Sequence, residues 1–114
     1  MELYKVDRER RVLRTLEIAK DLKSRTRGLI DHHPLEPDQG MIIDPCRWIH
    51  TFGMSFPIDV AYMSKDWRVV ALSENLAPNR IDRPVFRARF VIEMMAGAIR
   101  RTSLAIGDQL ELRP

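Results

Sequence analysis

The feature that most constrains this chain is punctuation. Its apolar residues come in short bursts, each halted by proline, glycine or a polar turn. Met41-Ile42-Ile43-Asp44 stops at Pro45, and a second burst runs from Trp48 to about Met54. Ile58, Val60 and Tyr62 then alternate with Asp59, Ala61 and Met63. Ser64-Lys65-Asp66 makes a turn, and Trp67 to Ser73 returns as the other arm of a hairpin. Phe90 to Met95 is a further strand, and Leu110 and Leu112 share one face of a last one after the Gly107-Asp108 turn. Upstream, Val12 to Ile18 has β-type composition, with Val12, Leu16 and Ile18 on one face. One segment has helical spacing: Asp21 can cap it, Leu22 and Leu29 lie two turns apart on the buried stripe, and Gly28 weakens the last turn. Residues 31–40 read as a loop, Ser73 to Pro84 as a long loop or crossover, and Ala96 to Thr102 as one helical turn or a tight loop. Strands and helices do not alternate. The pattern predicts a mainly β chain, a small antiparallel sandwich or barrel with one short α-helix near residues 21–30.

Length sets the scale of that fold. A chain of 114 residues makes one domain, residues 1–114, and buries roughly 65% of its unfolded surface. A hydrophobic content of 45% with a net charge of +3 excludes a disordered chain. Cys46 has no second cysteine to pair with, which excludes a disulfide framework. Met1 to Arg8 opens no apolar run of signal-peptide type, and no stretch approaches the ~18 apolar residues of a membrane span. With a lone cysteine, this points to the cytoplasm and away from a membrane. Arginine outnumbers lysine fifteen to four. Arg80, Arg83, Arg87, Arg89, Arg100 and Arg101 fall in one stretch, opposed there by Asp82 and Glu93. Such a cluster can be an electrostatic footprint for nucleic acid. Phe86 and Phe90 are the only aromatics within it to stack on bases, so a solvated arginine face is favoured and nucleic acid is not the expected partner.

Several residues together carry a family resemblance. Arg27-Gly28-Leu29 closes the helical segment, and His50-Thr51-Phe52-Gly53-Met54-Ser55-Phe56-Pro57-Ile58-Asp59-Val60 enters the hairpin. Val91-Ile92-Glu93-Met94-Met95-Ala96-Gly97 follows, then Ile106-Gly107-Asp108. In this order and spacing they resemble the bacterial and archaeal family called domain of unknown function 192, over about residues 12–112. The Thr-Phe-x-Met-x-x-Pro-Ile-Asp element is the most specific part. The resemblance implies an all-β, jelly-roll-like sandwich with one short helix, leaves residues 1–11 as a family-variable N-terminal extension or edge strand, and implies no activity. Two departures stand out: Ile30-Asp31-His32 replaces the family's Met, aromatic and Arg after Gly-Leu, and Gly53 and Ser55 flank Met54 in place of an aromatic and a basic residue.

Two acids interrupt apolar strand patterns. Asp59 shares its alternation with Ala61 and Met63, so it is either a general acid/base or ligand anchor, or a structural acceptor for loop N–H groups behind Pro57. Glu93 points with Val91 and Met95, opposite Phe90, Ile92 and Met94, and reads as a buried charge neutralised by Arg27 or Arg89. Should Glu93 and Asp59 share a pocket, paired carboxylates at unequal pKa would suit hydrolysis or metal binding. Cys46, His50, His32 and His33 do not have the spacing of a zinc site, and no metal or cofactor is expected. His50 shares a face with Trp48 and Phe52, and with Met54 these residues can line a pocket. Gly97 and Gly107 supply turn backbone, and Asp108 completes the last turn. The favoured reading is a module binding a small molecule or peptide through Trp48, His50, Phe52, Met54, Asp59 and Glu93. A hydrolase using Asp59, Glu93 and His50, and an interaction or nucleic-acid adaptor using Arg80 to Arg101, are the alternatives.

Overall fold

A computed structural model describes residues 1–7, 9–19 and 34–114. Among the described residues eight strands form two sheets. β1 (Glu2–Lys5), β2 (Arg10–Leu13) and β8 (Leu110–Arg113) make a three-stranded sheet in the order β2-β1-β8. β3 (Thr15–Ala19), β4 (Gln39–Ile43), β5 (Ile58–Met63), β6 (Val69–Leu76) and β7 (Phe90–Met95) make a five-stranded sheet in the order β3-β4-β7-β5-β6. The chain is mainly β. Every pairing is antiparallel except β3 with β4, which is parallel. A short helix, α1 (Ala98–Thr102), follows β7. No helix among the described residues is long and apolar enough to cross a membrane.

The β5–β6 hairpin and the strand β7 form as expected, except that the return arm expected over Trp67 to Ser73 runs from Val69 to Leu76, into the segment expected as loop. Three further expectations change. The strand expected over Val12 to Ile18 is broken at Arg14, whose N–H donates to the Asp38 carbonyl and whose guanidinium pairs with the Asp38 carboxylate at 2.8 Å. Its halves enter different sheets, and Ile18 is exposed. Residues 2–5 are no edge: β1 is the centre of its sheet, and Leu3 is fully buried. Trp48 to Met54 is no strand, because Gly53 turns at a φ of 83° and only His50 bridges, to Ile81. The helix expected near residues 21–30, with Gly28, lies outside the described residues, as do His32 and His33.

All six residues of β5 are buried, so both faces of the large sheet are covered. On one face Ala61, Met63, Phe90, Ile92 and Met94 pack against Leu3, Val12, Leu13 and Leu110 of the small sheet and Ala98 and Ile99 of α1. On the other, Met41, Ile43, Val60, Tyr62, Ala71 and Val91 pack under Ile49, Met54, Phe56 and Ala88, which belong to the loops before β5 and before β7. These two loops therefore do the work of a second layer.

Candidate functional site

Asp59 and Glu93 lie on opposite faces. Asp59 opposes Met94 across the β5–β7 ladder, and Glu93 opposes Val60, so side-chain alternation sends them apart. Asp59 is fully buried against the helix side. Its Oδ2 accepts from the N–H groups of Gly97, at 3.1 Å, and Ile99, at 2.9 Å, and its Oδ1 from that of Asn75 at 2.8 Å. Asn75 sits at a register shift of β6, with a positive φ of 51°, so its N–H is free of the ladder. Gly97 is the N-cap of α1 at a φ of 98°, and it has no side chain to accept from the first turn. Asp59 thus acts as a cap supplied from a neighbouring strand.

Glu93 occupies the middle strand of the large sheet, on the face roofed by the two loops. It is 3% exposed, and its Oε1 has no hydrogen-bond partner among the described residues. Burial pushes its carboxyl up to about 7. The expected tie to Arg89 does not form: Arg89 pairs instead with Asp44 at 3.0 Å, and Arg27 lies outside the described residues. Cys46 is the neighbour whose thiol feels the Glu93 charge. Burial chiefly, and that charge in addition, push the thiol up, while its hydrogen bond to the Trp48 carbonyl pulls the other way. Pro45, Cys46, Arg47 and Arg89 line a cavity of about 500 Å³.

The same face carries a polar cluster that sequence reasoning missed. Tyr62 and Ser73 both donate to Asp82 Oδ2, at 2.7 and 2.6 Å. Burial first, then the bond to Asp82, raise the Tyr62 phenol. The signal was present: Asp82 is an acid alone among the arginines of its loop. Thr51, also missed, is fully buried, donating its hydroxyl to the Ala77 carbonyl at 2.6 Å and accepting from the Arg80 N–H at 2.8 Å. It pins the two loops together, and four backbone bonds extend the pairing: Thr51 to Arg80, Asn79 to Thr51, Asp82 to Ile49 and Val85 to Arg47.

The other expected site residues do not gather around Glu93. Trp48 and Phe52 are 50% and 46% exposed, facing outward from the paired loops. Trp48 donates its indole N–H to the Asp82 carbonyl at 2.7 Å. The His50 ring lies 5.4 Å from that of Phe52, and its Nδ1 accepts the Phe52 N–H. Met54 is buried in the loop-side core. Pro57 leads directly into β5, and Gly107 turns at a φ of 96°. Asp108 pairs with Lys5 at 3.1 Å and accepts from the Ala105 N–H. No group of three His, Cys, Asp or Glu among the described residues is arranged to hold a metal ion. The arginine stretch divides as well: Arg100 and Arg101 belong to α1, apart from the loop that carries Arg80 to Arg87.

Comparison with known proteins agrees with this architecture. A candidate transcription regulator from Sinorhizobium meliloti 1021 is 27% identical, with a TM-score of 0.80 over 96% of this chain and 89% of its own. A protein of unknown function from Novosphingobium aromaticivorans DSM 12444 is 22% identical, with a TM-score of 0.82 over 97% of this chain and 82% of its own, and shares the fold. No curated protein matches the chain. A family model matches residues 4–112, nearly the whole length, and the chain belongs to that family, domain of unknown function 192, described as an "Uncharacterized ACR".

Proposed function

We propose that the protein is a binding module for a small molecule or a peptide end, with Glu93 as the polar floor of its site. One observation carries this reading: the Glu93 carboxyl is buried at the centre of the large sheet with Oε1 unpartnered among the described residues. A buried polar group left without a hydrogen bond costs about 1–3 kcal/mol, and folded proteins keep few of them. A ligand that supplies the missing partner removes that cost. Cys46 supports a route inward, because its thiol feels Glu93 and the residue also lines the cavity walled by Arg47 and Arg89. A carboxyl poised near neutrality suits a ligand with N–H donors: ionised it takes a cation, and protonated it accepts and donates at once. The contacts in this reading are Glu93, Cys46 and Arg47, below the outward-facing Trp48 and Phe52. A hydrolase built on Asp59, Glu93 and His50 lacks support, since Asp59 faces the opposite core with both its oxygens engaged by backbone N–H groups.

The test is a thermal-shift screen of the full chain with amines, amino sugars, nucleotides and metals, run in parallel on Glu93→Gln. A compound with N–H donors at about 100 times its Kd adds about 2.7 kcal/mol and raises the Tm of the wild type by roughly 10 °C. The same compound leaves Glu93→Gln unmoved. A panel that shifts neither protein, or both equally, contradicts the reading.

A further inference from the structure

The loops that roof Glu93 present a second feature on their outer side. Arg47, Lys65, Arg87 and Arg89 converge with Ser64, Asp66 and Ala88 on a cleft of about 440 Å³. Its charge is lopsided. Of the four cations only Arg89 has a carboxylate partner among the described residues, Asp44. Arg47 and Arg87 spend their guanidinium hydrogen bonds on backbone carbonyls, of Ala88 and Val70. The one acid in the cleft, Asp66, accepts from the Ser64 hydroxyl and also feels the charges of Arg68 and Lys65, which leaves the four cations in excess over a single carboxylate. Two exposed aromatics adjoin these cations along the chain, outside the cleft's own lining. Trp48 follows Arg47 and is half exposed, and Phe86 precedes Arg87 and is 80% exposed. From the sequence the arginine stretch has only Phe86 and Phe90 to stack on bases; the pairing of residues 47–51 with 80–85 brings Trp48 across to it.

We infer that this cleft and its aromatic rim bind single-stranded nucleic acid. The complementarity is chemical. Unneutralised cations in a concave track suit a phosphate backbone, and exposed aromatic faces at the rim suit unpaired bases. An acidic peptide would satisfy the cations and leave Phe86 in water, and a duplex would keep its bases from stacking there. Arg47 and Arg89 border both this cleft and the cavity of the ligand reading, but Glu93 does not line the cleft, and Lys65 and Arg87 do not line the cavity.

The experiment follows the anisotropy of a fluorescein-labelled oligothymidylate of about 20 nucleotides, titrated with the full chain from about 50 to 200 mM salt. Three or four phosphate contacts give a slope of log affinity against log salt of about −2 to −3. Lys65→Ala and Arg87→Ala each make the slope shallower by about 0.7. Phe86→Ala weakens binding about tenfold at an unchanged slope. All three variants are surface changes and keep the wild-type Tm. Glu93→Gln binds the oligonucleotide as the wild type does, so this test and the ligand screen fail independently. No binding at the lowest salt, a slope indifferent to Lys65 and Arg87, tighter binding of a duplex, or equal competition by polyglutamate overturns the inference.

Discussion

Two carboxylates one residue out of step on neighbouring strands meet opposite fates. Asp59 accepts three backbone N–H groups, from Asn75, Gly97 and Ile99, and so ties β5 to the β6 irregularity and to the start of α1. Glu93 faces the other way and has no such donors among the described residues. Both residues are legible in the sequence as acids inside apolar strands, but their roles are not. β5 and β7 are apolar on both sides, so alternation gives the parity of each residue without saying which face meets the helix and which the loops. Asp59→Ala takes the acceptor from three backbone N–H groups, of which that of Ile99 is buried and those of Asn75 and Gly97 part-buried, and lowers stability by about 2 kcal/mol, read from urea unfolding. Asp59→Asn keeps one carbonyl oxygen and costs less. Equal stability of wild type and Asp59→Ala would show that water replaces the carboxylate.

Among the elements, those with local signals were the readable ones. The β5–β6 hairpin has alternation and a polar turn, and β7 is an uninterrupted apolar run. The loop roof departs from the strand its sequence predicts, because Trp48 to Met54 has strand composition but finds no ladder. Its bonds go instead through Thr51 and scattered backbone groups to residues 77–85, a pairing no local pattern announces. The same long-range pairing hid the aromatic rim of the basic cleft. Val12 to Ile18 reads as one strand because nothing in its composition marks Arg14 as the point where Asp38 pulls the chain aside. The turn into α1 depends on Gly97, where an added Cβ meets nothing within 4 Å yet φ is +98°. Gly97→Ala therefore costs about 1 kcal/mol through backbone strain alone, and Gly97→Asn costs less, since Asn tolerates positive φ. Gly40 is the contrasting case: a Cβ there falls 2.6 Å from Leu13 Cδ1 and 3.1 Å from the Glu93 carbonyl oxygen, so Gly40→Ala is destabilising by crowding. Urea unfolding of the three variants separates strain from crowding.

At the scale of the whole molecule, a five-stranded sheet is sealed on one face by a small sheet and a helix and on the other by loops. The net charge of +3 says nothing of this arrangement. Among the described residues Lys5, Asp59 and Glu93 are the buried charged groups, and of these Glu93 is the one with an oxygen left without a partner. Its linkage to folding has a definite sign. The folded state holds the Glu93 proton up to about pH 7, while the unfolded chain releases it near the ordinary value of 4.5. Between those values the folded state binds more protons, so stability falls as pH rises. The full effect is about 3 kcal/mol, complete above pH 7. Glu93→Gln cannot titrate and lacks this slope, and the difference between the two proteins cancels the other titrating groups. The deciding measurement is urea unfolding of wild type and Glu93→Gln at intervals from pH 4.5 to 8. The account predicts that the wild type loses about 3 kcal/mol relative to Glu93→Gln across that window, with the loss levelling off above pH 7. Parallel stability curves would contradict it, because they would mean that Glu93 is already ionised and paired in the folded protein.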